Sequence, residues 1–246
     1  MRDVPDLVAW LQETDRRRAE RVLEVACGFA VLDDTYPSAH SLNKMVVTSV
    51  CTAQDVVDTA NDTLGHLGHR LVEVHDPVLA DALAPGLASC GWTRSDDLVM
   101  TSARPGQPSP AVVELALLER QRVAAADWER DEPQQDPEVW RQLGDRVQTI
   151  QRAADATYLA VRAESRVIAR ADLYLRGGTA QVEEVLTDPG HRGQGHASTL
   201  VHHALHLARR RGAEVVFLLA EADNWPQQLY RRLGFTDTAR TSQFAR

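Results

Sequence analysis

Arg192-Gly193-Gln194-Gly195-His196-Ala197 lies between an apolar-rich stretch, 180–187, and an unbroken helical stretch, 198–211. The expected order is strand, glycine turn, helix N-terminus, and that order makes an anion site. The first N–H groups of a helix have no intrahelical partner, and the macrodipole places partial positive charge there. Glycines let the backbone approach a ligand and take positive φ. A phosphate fits such a place. The turn is not a P-loop, because no Gly-Lys-Ser/Thr follows, and Gly-x-Gly-x-x-Gly is absent too. Just upstream, Glu183 and Glu184 sit inside the expected strand. The apolar set Val182, Val185 and Thr187 breaks strict alternation by one step, which a β-bulge explains. One of these carboxylates can serve as a base through water, with Glu183 favoured over Glu184. A solvated pair at an exposed bulge is the alternative.

The spacing Arg192-x-x-Gly195-x-Ala197 resembles the signature of the GNAT acetyltransferase superfamily, which cradles the pyrophosphate of acetyl-coenzyme A. Trp225 to Phe235, WPQQLYRRLGF, is similar to the closing helix of that family. The resemblance covers residues from Ala111 to about Arg246 well and the first hundred only faintly. It implies an α/β GNAT fold, a mixed and mostly antiparallel sheet flanked by helices. It implies acetyl-coenzyme A as co-substrate, no metal, and direct transfer of the acetyl group to a primary amine in a ternary complex. None of the cysteines lies near the motifs, so no covalent enzyme intermediate is expected.

The same resemblance assigns residues. The pantetheine arm would run along the backbone of Val185, Leu186 and Thr187, whose side chains also suit a core. Arg192, Gly193, Gln194, Gly195, His196 and Ala197 would form the amide cradle. Ser198 or Thr199 would add a hydroxyl, with a helix N-cap as the other reading of Ser198. Tyr230 falls where the family keeps the acid that protonates the leaving thiolate; a core tyrosine is the bland alternative. The family has an asparagine seven residues before that tyrosine. Here Asp223 stands there and Asn224 follows, so Asn224 is expected to cap the last helix and still reach the ligand. Some branches carry the base on the next strand, but Val215 to Ala220 is wholly apolar.

The chain has 246 residues, 43% hydrophobic and 25% charged, ordinary values for a globular protein. No apolar run approaches a membrane span, and MRDVPDLVAW lacks the h-region of a secretory signal. Three scattered cysteines, Cys27, Cys51 and Cys90, argue for a reducing cytoplasm. A formal net charge of −8 disfavours nucleic acid as a partner. Lys44 is the only lysine. His202 and His206 have a metal-pair spacing but no evident third ligand, and are read as packing or surface residues. Some family members dimerise through sheet edges, which leaves a homodimer open.

The elements that must position these groups follow in order. Residues 4–30 read as one or two helices with Leu7, Trp10, Leu11, Val22, Leu23 and Val25 as the apolar stripe. Strands are expected at 44–50, 69–74 and 97–102, helices at 53–64 and 77–90. Residues 104–110, rich in proline, read as a linker. A strand at 111–115, helices at 117–129 and 137–155, strands at 156–162, 166–175 and 180–187, then helix, strand, helix and strand complete the family's order. Strand, helix, strand, helix, Gly-aromatic, strand also occurs before the linker, where Gly91-Trp92 matches Gly234-Phe235. This points to a divergent duplication: a smaller degenerate GNAT-like domain at 1–103, then a catalytic domain at 111–246. The turn Thr48-Ser-Val-Cys-Thr-Ala53 has no glycine, so the first copy should not bind coenzyme A. An unrelated α/β cap is the alternative.

The acidic segment Glu129 to Asp136 is expected at the substrate mouth, where it would draw in a cationic small-molecule or peptide amine. A solvated loop is the plainer reading. Two rival functions stand beside the enzyme. One is a non-catalytic acyl-coenzyme A sensor. The other is a tandem transferase using another acyl donor, such as an aminoacyl-tRNA.

Overall fold

The computed structural model describes residues 4–246. Residues 1–3, which open the expected N-terminal domain, lie outside the described residues. The chain divides into two compact units. The N-terminal unit holds the described residues up to Leu98, with Glu221–Asp223 and Ala239–Arg246. The C-terminal unit holds Val99–Ala220 and Asn224–Thr238.

In the N-terminal unit, helix α1 (Val4–Arg18) buries Leu7, Trp10, Leu11 and Thr14, one stripe at helical spacing. The helix expected to continue toward residue 30 does not. Strands β1 (Arg21–Val25) and β2 (Gly28–Leu32) form an antiparallel hairpin instead. Val22 and Leu23 are exposed there, so they never formed a core-facing helical stripe. β-Branched Val22, Val25 and Val31 suit a strand better than a helix. Gly28 permits the close approach of β2 to the next strand: a Cβ at this position would lie 2.1 Å from the Val46 carbonyl oxygen.

Strand β3 (Lys44–Val47), helix α2 (Ala53–Leu64), strand β4 (Leu71–Val74), helix α3 (Pro77–Ser89) and strand β5 (Thr93–Ser102) follow. The parallel partners β3 and β4 stay paired to the end of β3, Val47 opposite Val74. The α2 N-terminus is closed by a capping box between Thr52 and Asp55. One face of these strands packs Met45, Val47, Val72 and Val74 with Val56, Leu83 and Phe244. On the other, Lys44 Nζ pairs with Asp15 (3.0 Å) and Glu73 (2.8 Å), and His75 lies 3.5 Å from the same Glu73.

The C-terminal unit adds strand β6 (Val112–Leu115), helices α4 (Leu117–Asp131) and α5 (Pro137–Asp145), and strands β7 (Asp155–Ala163), β8 (Arg166–Arg176) and β9 (Thr179–Thr187). Helix α6 (His196–Arg210), strand β10 (Val215–Glu221), helix α7 (Pro226–Arg232) and strand β11 (Thr236–Ala245) follow, of which Glu221 and the β11 residues from Ala239 onward count with the N-terminal unit. The helix expected over 137–155 ends at Asp145 and continues as a 3-10 helix, Arg146–Arg152. Strand order is β6-β7-β8-β9-β10, then β5 and β11. Helix α6 covers β8 and β9 with Leu200, Val201, Ala204, Leu205 and Ala208, all fully buried.

Two features concern the segments expected to bound the domains. Residues 104–110 have no regular structure, yet they lie on α6 rather than spanning free. Gln107 N–H donates to the His202 carbonyl (3.0 Å) and Ser109 N–H to His203 Nδ1 (3.1 Å). Gly106 (φ +70) rests on the helix, where a Cβ would lie 2.3 Å from His202 O. The end of β11 belongs with the N-terminal unit, because Ser242–Ala245 pair antiparallel with β4.

Candidate functional site

The site begins where β9 leaves β10. The two run parallel with Thr179, Ala180 and Gln181 opposite Val215, Val216 and Phe217, and the pairing stops there. Val182 to Thr187 continue without β10 beside them, still paired with β8 on the other side. The expected bulge is present. Between Asp172–Glu183 and Arg170–Leu186, β9 advances one residue more than β8. Glu184 carries the irregularity at φ +54, the left-handed region that few non-glycine residues enter. Val185, Leu186 and Thr187 are half-buried and line the parted edge.

Past Thr187 the chain turns through a short 3-10 helix, Pro189–His191, closed by Asp188, whose carboxylate accepts the Gly190 N–H. Arg192 folds back so that Nε donates to the Thr187 carbonyl (3.3 Å). Gly193 (φ +76) and Gly195 (φ +84) then need the positive φ that glycine supplies. A Cβ at either would meet nothing within 4 Å, so the space over the turn is open. Gly195, not Ser198, is the N-cap of α6, and no side chain caps it. The helix begins two residues before the expected start, which puts His196, Ala197 and Ser198 in its first turn. Thr199 Oγ1 is turned back to the Gly195 carbonyl (3.2 Å). His196 Nε2 is buried with no hydrogen-bond partner. An uncapped fifteen-residue helix with its N-terminus under an open double-glycine turn is a fit cradle for a phosphate.

Tyr230 sits on α7, buried against Phe235 with ring centroids 6.0 Å apart. Burial, and then the negative charge of Glu183, push its hydroxyl up to about 12. The phenol therefore stays protonated at neutral pH, as a proton donor must. Gln181 Nε2 donates to Glu183 Oε1.

Glu184 has a different environment. Its carboxylate meets Arg170 Nη1 (3.0 Å), Arg146 Nη2 (3.2 Å) and Arg120 Nη2 (3.6 Å). Burial raises its proton affinity, but the three arginines outweigh burial and hold the carboxyl far below the usual carboxylate range. Arg120 is itself fully buried and grips Asp172 through Nε (2.8 Å) and Nη2 (3.0 Å), and Tyr174 donates to the same carboxylate. Arg170 Nε reaches Asp127 (2.8 Å).

Among the other expected residues, Asn224 is exposed and is not the cap of α7. Trp225 occupies that position, and Asn224 Oδ1 accepts the Trp225 N–H (2.8 Å). In the acidic segment, Asp136 is spent as the cap of α5 and Asp131 is paired with Arg130. Among the described residues, no group of three or more His, Cys, Asp or Glu is placed to hold a metal, and no helix is long and apolar enough to cross a membrane. The arginine cage around Glu184 was not anticipated from the sequence. Its one local signal is Arg170-x-Asp172-x-Tyr174, polar residues on one face of a strand that is otherwise apolar.

Residues 121–235 match the model of the Acetyltransferase (GNAT) family. The mycothiol acetyltransferase of Clavibacter sepedonicus is 36% identical over 105 residues, covering 42% of this chain and 34% of that protein. The chain spans 29% to 46% of the length of the curated relatives it matches. A solved GCN5-related N-acetyltransferase from Kribbella flavida has the same fold, with TM-score 0.63 and 20% identity over 100% of this chain and 96% of that one. A tandem GNAT protein from the clavulanic acid biosynthesis pathway gives TM-score 0.55 and 15% identity, over 79% and 67%.

Proposed function

We propose that this chain, which has the GNAT-superfamily acetyltransferase fold, is an acetyl-coenzyme A-dependent N-acetyltransferase acting on a primary amine. One observation carries the reading: the parted edge of β9 runs directly into an open glycine turn at an uncapped helix N-terminus. The backbone of Val185, Leu186 and Thr187 would hold the pantetheine arm, and Arg192 to Ser198 the pyrophosphate. Acetyl-coenzyme A, when bound, supplies an activated thioester. Glu183 acts as the base that leaves the amine neutral for attack, directly or through water. Glu184 does not take that role, because its carboxylate is committed to three arginines. Tyr230 donates its proton to the departing sulfur.

The N-terminal unit is a degenerate copy without a coenzyme A site. Its β3-α2-β4-α3-β5 order parallels β9-α6-β10-α7-β11. Yet β3 ends at its last residue paired with β4, no glycine stands in the turn, and the Thr52–Asp55 box already occupies the helix N-terminus. The tandem GNAT protein of the clavulanic acid pathway supports the arrangement as a precedent.

The test is thiol release from acetyl-coenzyme A across a panel of amines, with the acceptor used by mycothiol acetyltransferases as its first member. Amine-dependent release supports the transferase. Tight binding with no turnover on any amine would favour a non-catalytic acyl-coenzyme A sensor. Turnover that coenzyme A fails to inhibit would point to another acyl donor.

A further inference from the structure

Glu184 is an L-residue held at φ +54, three residues beyond Gln181, the last β9 residue paired with β10. Left-handed geometry is unfavourable for such a residue and persists only where its surroundings over-determine it. Those surroundings come from three separate elements. Arg120 projects from α4, Arg146 opens the 3-10 helix after α5, and Arg170 stands on β8. Arg170 Nη1 grips both ends of the residue, donating to the Glu184 carboxylate (3.0 Å) and to its main-chain carbonyl (3.0 Å). The grip is rigid, because Arg120 is locked by Asp172 and Arg170 by Asp127.

We propose that Glu184 is a positioning residue: gripped by Arg120, Arg146 and Arg170, it fixes the left-handed bulge that keeps β9 parted from β10. The device rests on the acetyl-coenzyme A reading above and extends it. It ties the strand that would carry the cofactor to α4 and α5. Without the grip, residue 184 relaxes toward the extended region and the extra residue of β9 is lost. A one-residue slip also turns every side chain beyond it to the opposite face, and β9 can then pair with β10 past Gln181. The competent open state becomes a minor population, and apparent affinity falls by that fraction.

The deciding comparison is Glu184→Ala against Glu184→Gly. Both lose the carboxylate, but only glycine takes positive φ without penalty. Acetyl-coenzyme A should bind Glu184→Ala about tenfold more weakly than Glu184→Gly, equivalent to about 1.4 kcal/mol. Glu183 and Tyr230 remain in place in both. Equal losses in the two variants would overturn the proposal, leaving only an electrostatic role for the carboxylate. Where either variant fails to fold, Arg146→Gln loosens the grip more gently. It should raise the acetyl-coenzyme A Kd severalfold at an unchanged Tm, and an unchanged Kd would contradict the device. Amide hydrogen exchange separates this claim from the functional one. Exchange at 182–187 should be slower in Glu184→Ala than in Glu184→Gly, even if the wild-type chain binds no acetyl-coenzyme A. Equal exchange there would refute the positioning role, whereas a wild-type chain that binds no acetyl-coenzyme A would refute only the functional reading.

Discussion

Asp97 on β5 offers a sharp test of how charge is handled in the N-terminal unit. Burial, and then the charges of Glu73, Glu221 and Asp96, raise its carboxyl from 3.8 to about 6. The folded chain therefore binds a proton here that the unfolded chain has already released. Stability from this group is highest at low pH and is lost as pH rises from about 4 through 6. At about 1.4 kcal/mol per pH unit, a shift of this size sets a ceiling of about 3 kcal/mol. Asp97 is only half-buried, so roughly 1–2 kcal/mol is the working figure. Glu73 has the opposite sign. Burial raises its carboxyl, but Lys44 and His75 outweigh burial and bring it to about 2. Its contribution is present above pH 4.5 and lost as pH falls toward 2. Wild-type stability should therefore peak near pH 4. In Asp97→Asn the decline between about pH 4 and 6 should disappear, giving a variant more stable than wild type at pH 8 and no more stable at pH 4. Urea unfolding at a series of pH values reads both limbs. A variant that is less stable at pH 8, or that keeps the wild-type decline between pH 4 and 6, would contradict this assignment.

Tyr230→Phe should lower kcat by about a hundredfold or more while acetyl-coenzyme A affinity holds; an unchanged kcat would make the hydroxyl structural. Because the Tyr230 hydroxyl titrates only near 12, kcat should show no alkaline fall from this group below about pH 10. A limb near pH 8 that vanishes in Tyr230→Phe would contradict that. Gly106→Ala forces a Cβ to 2.3 Å from the His202 carbonyl at φ +70 and should cost about 2 kcal/mol or more. A Tm equal to wild type would mean that residues 104–110 do not lie on α6. Neutralising Glu129, Asp131 and Glu132 should reduce kcat/KM for a cationic acceptor severalfold at low salt and less at high salt. A salt-independent or unchanged value would leave the segment no steering role. Asp136 is left intact in that variant because it caps α5.

The parts of the fold legible in the sequence were those fixed by near neighbours. Ala53–Leu64 is helical as read, because Thr52 and Asp55 close its start three residues apart. The bulge showed as a one-step break in alternation at Glu183-Glu184, and the glycine turn as two residues that only positive φ explains. The failures have distant causes. Val22, Leu23 and Val25 fit a helical stripe locally, and it is pairing with β2, and of β2 with β3, that makes them a strand. The end of β11 joins β4 across most of the chain length, which no local pattern announces. The arginine cage is invisible for the same reason: Arg120, Arg146 and Arg170 lie far apart in sequence and meet at one carboxylate. A proline tolerated anywhere in the first helical turn lets Asn224 read as the cap, but Pro226 stands at the first helical position itself, which leaves Trp225 as the cap residue.

Binding of acetyl-coenzyme A along the β9 edge and the glycine turn is open to a thermal-shift measurement on wild type and Gly195→Trp. A Cβ at Gly195 meets nothing within 4 Å, so the new ring would enter the space over the turn, and at φ +84 a non-glycine residue also strains the turn itself; both effects spoil the cradle. At about 100 times its Kd, acetyl-coenzyme A should stabilise wild type by roughly 2.7 kcal/mol, a shift of a few degrees, and should leave Gly195→Trp unmoved. An equal shift in both chains would place the ligand elsewhere, and no shift in wild type would contradict the account at its root.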